Sequence, residues 1–401
     1  MTVPRWKQFI TYLSHKIINI IMNPIHFFTL GYYPEYLFIG VIWGIIIGFY
    51  TYFRVKYALN NSRISKNKKL TINFIIPILV FICCLNIWSN AAILTLYLFF
   101  SSILADVIRI IWKYLLKDKY LNFIPKYHKK GILALVIFAI IIISGVYGMN
   151  HIELTEYNLT TDKINNGSYS IVWVSDIHYG TVQNPQLVKE SISKINDLKP
   201  DMVVLGGDIV DERTSKEDMN EIFKELGKIN STYGTYYIFG NHDTQPDSID
   251  YENGNRTFSD GELNKSIIDN GIKILNDEKT SINDDIVLVG RSDAQWEGEN
   301  NRIDTGKILN ESDLSKYVVV LDHQPIKYEE NSQQGADLQL SGHTHGGQLF
   351  PYSIFERLTG HLVYGEFHFG KMELIVSSGL TGWGWPMRNE ATCEYVLINI
   401  N

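Results

Sequence analysis

Long apolar stretches crowd the first third of this chain, and short ones punctuate the rest. The run Tyr36–Phe53 holds eighteen residues without a charge and Gly131–Met149 holds nineteen, close to the ~20 that a helix needs to cross a hydrocarbon layer of ~30 Å. Leu70–Trp88 and Ala91–Trp112 predict two more spans, joined by a turn near Ser89-Asn90. Asp106 and Arg109 interrupt the last of these. Three apart on a helix, they are expected to form an ion pair. Phe9–Leu30 is broken up by Asn19, Asn23, Pro24 and His26, so it reads as a further span, an interfacial helix or a half-buried start.

The pattern then changes. After a linker expected over residues 150–168, short apolar runs alternate with amphipathic ones. Strands are predicted at Ser170–Ser175, Met202–Leu205, Thr235–Phe239, Ile286–Val289, Tyr317–Leu321, Leu338–Leu340, Glu373–Ser377 and Glu394–Ile398. Pro185–Leu198, with Leu187, Val188, Ile192 and Ile195 on one face, and Lys216–Lys228 predict helices. The alternation implies β-α-β units on a mainly parallel sheet, followed by strands able to make a second sheet.

Charge separates the same two regions. Residues 1–150 carry 16 Lys and Arg against Glu35, Asp106 and Asp118, whereas residues 151–401 carry 20 against 40 acids. Residues 54–69 hold six cations and no acid, and residues 113–130 hold six lysines against Asp118. Short basic loops stay in the cytoplasm, so one more crossing from Gly131 is expected to carry the acidic part to the outer face. That part lacks the basic face a nucleic-acid partner needs. Cys83 and Cys84 lie in a predicted span and Cys393 stands alone, so no disulfide framework exists. An outward domain without one suits a bacterial envelope.

Candidate chemistry sits at the strand ends, where open α/β sheets collect it. Val174-Ser175 leads into Asp176-Ile177-His178, Leu205 into Gly206-Gly207-Asp208-Ile209-Val210-Asp211, Phe239 into Gly240-Asn241-His242-Asp243, and Leu321 into Asp322-His323. Leu338-Gln339-Leu340 leads into Ser341-Gly342-His343-Thr344-His345-Gly346-Gly347-Gln348. On extended backbone, positions two apart point the same way, so His343 and His345 are expected to face one spot. Imidazoles and carboxylates together suit divalent transition metals. Each cluster alone is an ordinary strand-end turn; five in succession are not.

In order and spacing, Asp176-x-His178, Gly207-Asp208-x-x-Asp211, Gly240-Asn241-His242-Asp243, His323 and Gly342-His343-x-His345 resemble the calcineurin-like metallophosphoesterases, over roughly residues 169–401. Spans ahead of such a domain resemble the membrane-anchored branch. The resemblance implies a four-layer α/β-β/α sandwich and two divalent metal ions of the Mn, Fe or Zn kind. It implies Asp176, His178, Asp208 and His345 as ligands of one metal, and Asp208, Asn241, His323 and His343 as ligands of the other. It further implies that His242 serves the leaving oxygen and that Asp211 keeps that histidine charged and oriented.

Such a pair of metals activates water and neutralises phosphoryl charge. The expected activity is hydrolysis of a phosphoester or pyrophosphate outside the cytoplasm, borne by an envelope lipid or a nucleotide. A metal-binding sensory module without catalysis is the alternative. One departure stands out: the protein-phosphatase branch has an arginine directly after the second Asp, whereas Glu212 follows Asp211 and Arg213 comes next, which argues against a phosphoprotein substrate. Arg213, Arg291 and Arg388 are the candidate cations for an anionic substrate. Gly379–Arg388, with Trp383 and Trp385, reads either as a membrane-facing lip or as a loop packed on the sheet. His361 and His368 read as surface residues.

Overall fold

A computed structural model describes residues 37–60, 62–87, 89–115, 127–164, 167–181, 183–245, 256–298, 301–311 and 313–401. Phe9–Leu30 lies outside them. The chain divides into one unit ending at Ile143 and a second beginning at Ser144.

The apolar runs form helices α1 (Leu37–Leu59), α2 (Lys66–Cys84), α3 (Asn90–Leu115) and α4 (Ile132–Met149), each long and apolar enough to cross a membrane. Glycine spacing decides how the first two pack. Gly40, Gly44 and Gly48 recur every fourth residue on α1, and a Cβ at Gly40 would lie 2.6 Å from the Cys84 carbonyl oxygen. Small residues at this spacing let helix backbones approach closely in an apolar medium.

The expected Asp106 and Arg109 pair does not form as the main contact of Asp106. Its carboxylate accepts from the Tyr50 hydroxyl at 2.6 Å and from Arg54 at 3.1 Å, and lies 2.5 Å from His128 Nε2. The Arg109 guanidinium instead sits 5.7 Å from the centre of the Tyr57 ring. Partners on other segments offer geometry that a neighbour on the same helix does not.

The second unit holds two six-stranded sheets. The first has the order β1 (Ile152–Leu159), β12 (Cys393–Ile400), β2 (Tyr169–Val174), β3 (Met202–Leu205), β4 (Thr235–Tyr237) and β5 (Ile272–Ile274). Helices α5 (Pro185–Leu198), α6 (Lys216–Leu226) and α7 (Asp260–Asp269) connect its parallel part. The second sheet runs β10 (Gly365–Phe369), β11 (Met372–Val376), β9 (Leu338–Ser341), β8 (Tyr317–Leu321), β7 (Ile286–Gly290) and β6 (Glu278–Ile282). Alternate residues of each central strand feed different cores. Ile171, Trp173, Val204, Leu288, Val319, Leu340 and Val396 fill the layer between the sheets. Val172, Val174, Val203 and Leu205 pack with Val188, Ile192, Ile222 and Phe223, while Val287, Val289, Val318 and Val320 pack with Leu309 and Ala336. The four expected layers are thus present.

The stretch expected as a linker contains a full strand. Residues 152–159 pair in parallel with β12 from Ile152↔Cys393 to Leu159↔Ile400. Only Ile152 and Leu154 alternate cleanly there, so the sequence pattern is too short to announce a strand. Lateral pairing with β12 supplies what periodicity does not.

Candidate metal centre

The polar strand ends meet along one edge. The loops after β2 and β3 run on as partners: Asp176 N–H donates to the Gly207 carbonyl at 3.0 Å, and Ile177 and His178 N–H to the Asp208 carbonyl at 2.8 and 3.0 Å. Asp243 knits the next loop to them. Its buried carboxylate accepts from the N–H groups of Asp208, Ile209 and Gly240 at 2.9, 2.9 and 2.7 Å. Close approach needs glycine at Gly342, where a Cβ would stand 2.4 Å from Asp176 Oδ2.

Two groups of donor atoms result: Asp176, His178 and His345, and Asp208, His323 and His343, the atoms within each lying within 4.8 Å of one another. Asp208 stands between them. Its Oδ2 is 3.1 Å from His323 Nε2 and 3.8 Å from His178 Nε2, while Oδ1 accepts from the His242 N–H at 2.8 Å. His345 Nε2 lies 3.3 Å from His178 Nε2 and 3.5 Å from Asp176 Oδ1. His323 Nδ1 donates to the Gly206 carbonyl at 2.8 Å, which aims Nε2 at Asp208.

His343 and His345 do not face one spot. Both have left-handed backbone, φ 69° and 49°, so the alternation of a strand does not apply and each imidazole joins a different group. Asp176, His178 and Asp208 share this conformation at φ 55°, 48° and 53°. Non-glycine residues adopt it rarely, and such outliers cluster at functional sites.

The donor set suits two divalent ions. Asn241 Oδ1, His343 Nδ1 and His345 Nδ1 are buried without a hydrogen-bond partner, a costly state for the protein alone. Burial, reinforced by the charge on His323, pushes His343 down to about 3. Burial, with His178 and Arg388, also pushes His345 well down. Both imidazoles therefore stay neutral, as a metal ligand must.

The partner of His242 differs from expectation. Glu212 Oε1 lies 2.7 Å from His242 Nδ1. Asp211 turns instead toward His178, with Oδ2 3.4 Å from Nδ1, and accepts from the Arg213 N–H at 2.8 Å and its guanidinium at 3.0 Å. Asp211 is fully buried and close against His178, whereas the longer Glu212 side chain reaches the outer imidazole. Burial opposes charge on His242, but Asp208 and then Glu212 raise it to about 10.

Of the three candidate arginines, Arg213 is the one that packs on Trp383, the ring stacked on His242. Arg388 is fully buried and donates to the carbonyls of Thr381, His345 and Ser378. Arg291 is buried, 3.3 Å from Asp277. Trp383 stacks on the His242 ring at 5.1 Å, and the Arg213 guanidinium lies 5.7 Å from the Trp383 ring centre. Gln348 fixes that tryptophan, accepting from its N–H and donating to its carbonyl, both at 2.9 Å. His361 and His368 are exposed beside Glu356 and Glu373.

Sequence comparison agrees with this geometry. Residues 169–347 match the family described as calcineurin-like phosphoesterase. A metallophosphoesterase of Campylobacter jejuni, itself uncharacterized, is 32% identical over 317 residues, which cover 76% of this chain and 79% of that one. One from Aquifex aeolicus is 30% identical over 65% of this chain and 97% of its own. A zebrafish (Danio rerio) transmembrane protein with a metallophosphoesterase domain is 28% identical, over 66% of this chain and 61% of that one. The chain belongs to the calcineurin-like metallophosphoesterases and is a metal-dependent hydrolase of phosphoesters.

Proposed function

We propose that this chain is a membrane-anchored phosphoesterase with two metal ions, acting outside the cytoplasm on a phosphoester or pyrophosphate of an envelope lipid or a nucleotide. The observation that carries the reading is the pair of donor groups meeting at Asp208 with His242 alongside. Asp176, His178, Asp208 and His345 would hold one ion, and Asp208, Asn241, His323 and His343 the other. Bound there, the ions would activate water and offset the phosphoryl charge.

The side chains do the rest. His242, with Glu212 on Nδ1, presents Nε2 to the leaving oxygen and donates a proton as the ester bond breaks. Asp211 holds the ring of His178 in place. Trp383 covers one face of His242 and limits water there, and Arg213 adds positive charge to that wall. The outward orientation rests on the basic loops at residues 54–69 and 113–130.

The test is turnover of an aryl phosphate by the purified full chain with manganese, zinc or iron supplied and metal content measured on the same sample. Turnover that a chelator abolishes and metal restores is expected. No turnover with any of these metals overturns the reading. For orientation, a membrane-impermeant thiol reagent added to intact cells should label Asp284→Cys, at the far end of the strands from the centre.

A further inference from the structure

A nine-residue stretch just past the histidine turn exposes five large apolar side chains, more than any other stretch of that length among the described residues after Met149. Phe350, Tyr352, Ile354, Phe355 and Leu358 are 51%, 52%, 47%, 58% and 79% exposed. Among the described residues after Met149, the other large apolar side chains so exposed are Ile268, Ile303 and Leu314, scattered singly. Helix α8 (Tyr352–Leu358) buries none of its residues. A contiguous apolar patch of this kind marks a surface that meets an apolar partner.

The contacts of this stretch indicate which partner. Phe350 N–H donates to Asn389 Oδ1 at 2.8 Å, and the N–H and hydroxyl of Ser353 donate to the Glu390 carboxylate, both at 2.8 Å. The segment 382–390 that receives them rests on the end of α4. Arg388 N–H donates to the Gly145 carbonyl at 2.8 Å, a Cβ at Gly145 would stand 3.2 Å from Met387 Cβ, and one at Gly382 would stand 3.0 Å from Met149 Sδ. Gly145 lies four residues before the end of α4, about 6 Å along its axis. If α4 ends in the polar layer of a membrane, segment 382–390 lies in that layer too, with Trp383 and Trp385 in it. Tryptophan favours that depth.

We propose that Phe350–Leu358 docks on the lipid bilayer that holds α4, with its apolar side chains at the boundary of headgroups and acyl chains and Arg357 among the headgroups. The other face of the stretch borders the centre. A cavity of about 580 Å³ is lined by Glu356, His361 and Leu362 on one side and by Gln324, Tyr328 and His343 on the other. Docking opens this cavity at the bilayer surface, so the substrate class it selects is a phosphoester carried by a lipid rather than a free nucleotide. The choice of substrate class rests on the phosphoesterase reading above; the docking does not.

The experiment uses the full chain reconstituted in phosphatidylcholine vesicles, with an environment-sensitive fluorophore on Leu358→Cys and, for comparison, on Asp284→Cys. Labelled wild type supplies the blank for the native cysteines. Stronger quenching by a lipid-borne quencher at position 358 than at position 284 is expected. Quenching at 358 by aqueous iodide alone overturns the proposal, and shielding from both quenchers assigns the patch to a protein partner, which also overturns it. Phe355→Asp with Leu358→Asp should keep aryl phosphate turnover at the wild-type rate while turnover of phosphatidic acid in vesicles falls several-fold. Aryl phosphate turnover without any hydrolysis of phosphatidic acid overturns the lipid phosphomonoester as substrate. Loss of aryl phosphate turnover in the wild type sinks the enzyme reading and leaves the fluorescence result standing.

Discussion

Asp106 and Asp208 are both carboxylates with histidine beside them, one in each unit, and they differ in how their surroundings are completed. Around Asp106, Tyr50 and Arg54 from α1 and His128 from another segment supply hydrogen bonds to both oxygens. Around Asp208, ordinary backbone gives way to left-handed residues, and Asn241 Oδ1 and two imidazole nitrogens are buried without partners. A carboxylate met by protein donors holds segments together. One surrounded by unanswered donor atoms awaits something from outside, and its cost is borne by the fold.

Removing the shared carboxylate tests the contrast most severely. Asp208→Asn should release metal from both groups and reduce aryl phosphate turnover by at least about 100-fold, read by metal content and rate on one sample. His242→Ala should reduce turnover by about 100-fold or more with metal content unchanged, because the side chain moves a proton and ligates nothing. Loss of metal in that variant would place His242 inside the centre and contradict its pairing with Glu212.

The two adjacent carboxylates sharpen the picture at smaller amplitude. Asp211→Asn should weaken metal affinity by about 10- to 100-fold through His178. Glu212→Gln should leave affinity intact and slow substrates with poor leaving groups more than those with good ones, since it acts through the proton donor. An Asp211→Asn variant that keeps its metal affinity and slows poor leaving groups selectively would restore Asp211 to the role expected from sequence.

How much could be read in advance follows from the kind of force involved. The four apolar helices and the strands at Met202–Leu205 and Tyr317–Leu321 were legible because burial imposes a period or a length on the residues themselves. The residues that gather at the centre were legible as a motif, and the structure brings Asp176, His178, Asp208, His323, His343 and His345 into two groups. Other features depend on long-range geometry that composition does not record. Strand β1 depends on an edge more than 230 residues away. The partner of Asp106 comes from α1 and from His128, and Glu212 wins His242 by side-chain length. Arg388 looked like a substrate cation, yet it is spent on three carbonyls. Trp383 stands out in the sequence, but its seat on His242 depends on Gln348, whose role nothing in the motif announces.

The smallest effect concerns the closed cluster. If His128 Nε2 donates to Asp106, Nδ1 is left buried without a partner, so a second proton there would have no acceptor. Burial, helped by Arg54 and against the pull of Asp106, lowers His128 below its ordinary value. An unfolded histidine titrates near about 6.5. Between that value and the lower folded one, the unfolded chain binds the extra proton more readily, so acidification favours unfolding. The stabilising contribution is complete above the unfolded value and is lost as pH falls toward the folded one. Thermal unfolding of the full chain in detergent should therefore move to lower temperature between about pH 7 and pH 5, and His128→Gln should flatten that part of the dependence. Other histidines titrate in the same window, so the difference between the two proteins is the measurement. An unchanged slope in the variant would mean that His128 takes up protons alike in the folded and the unfolded chain, and that the cluster around Asp106 is not closed to them.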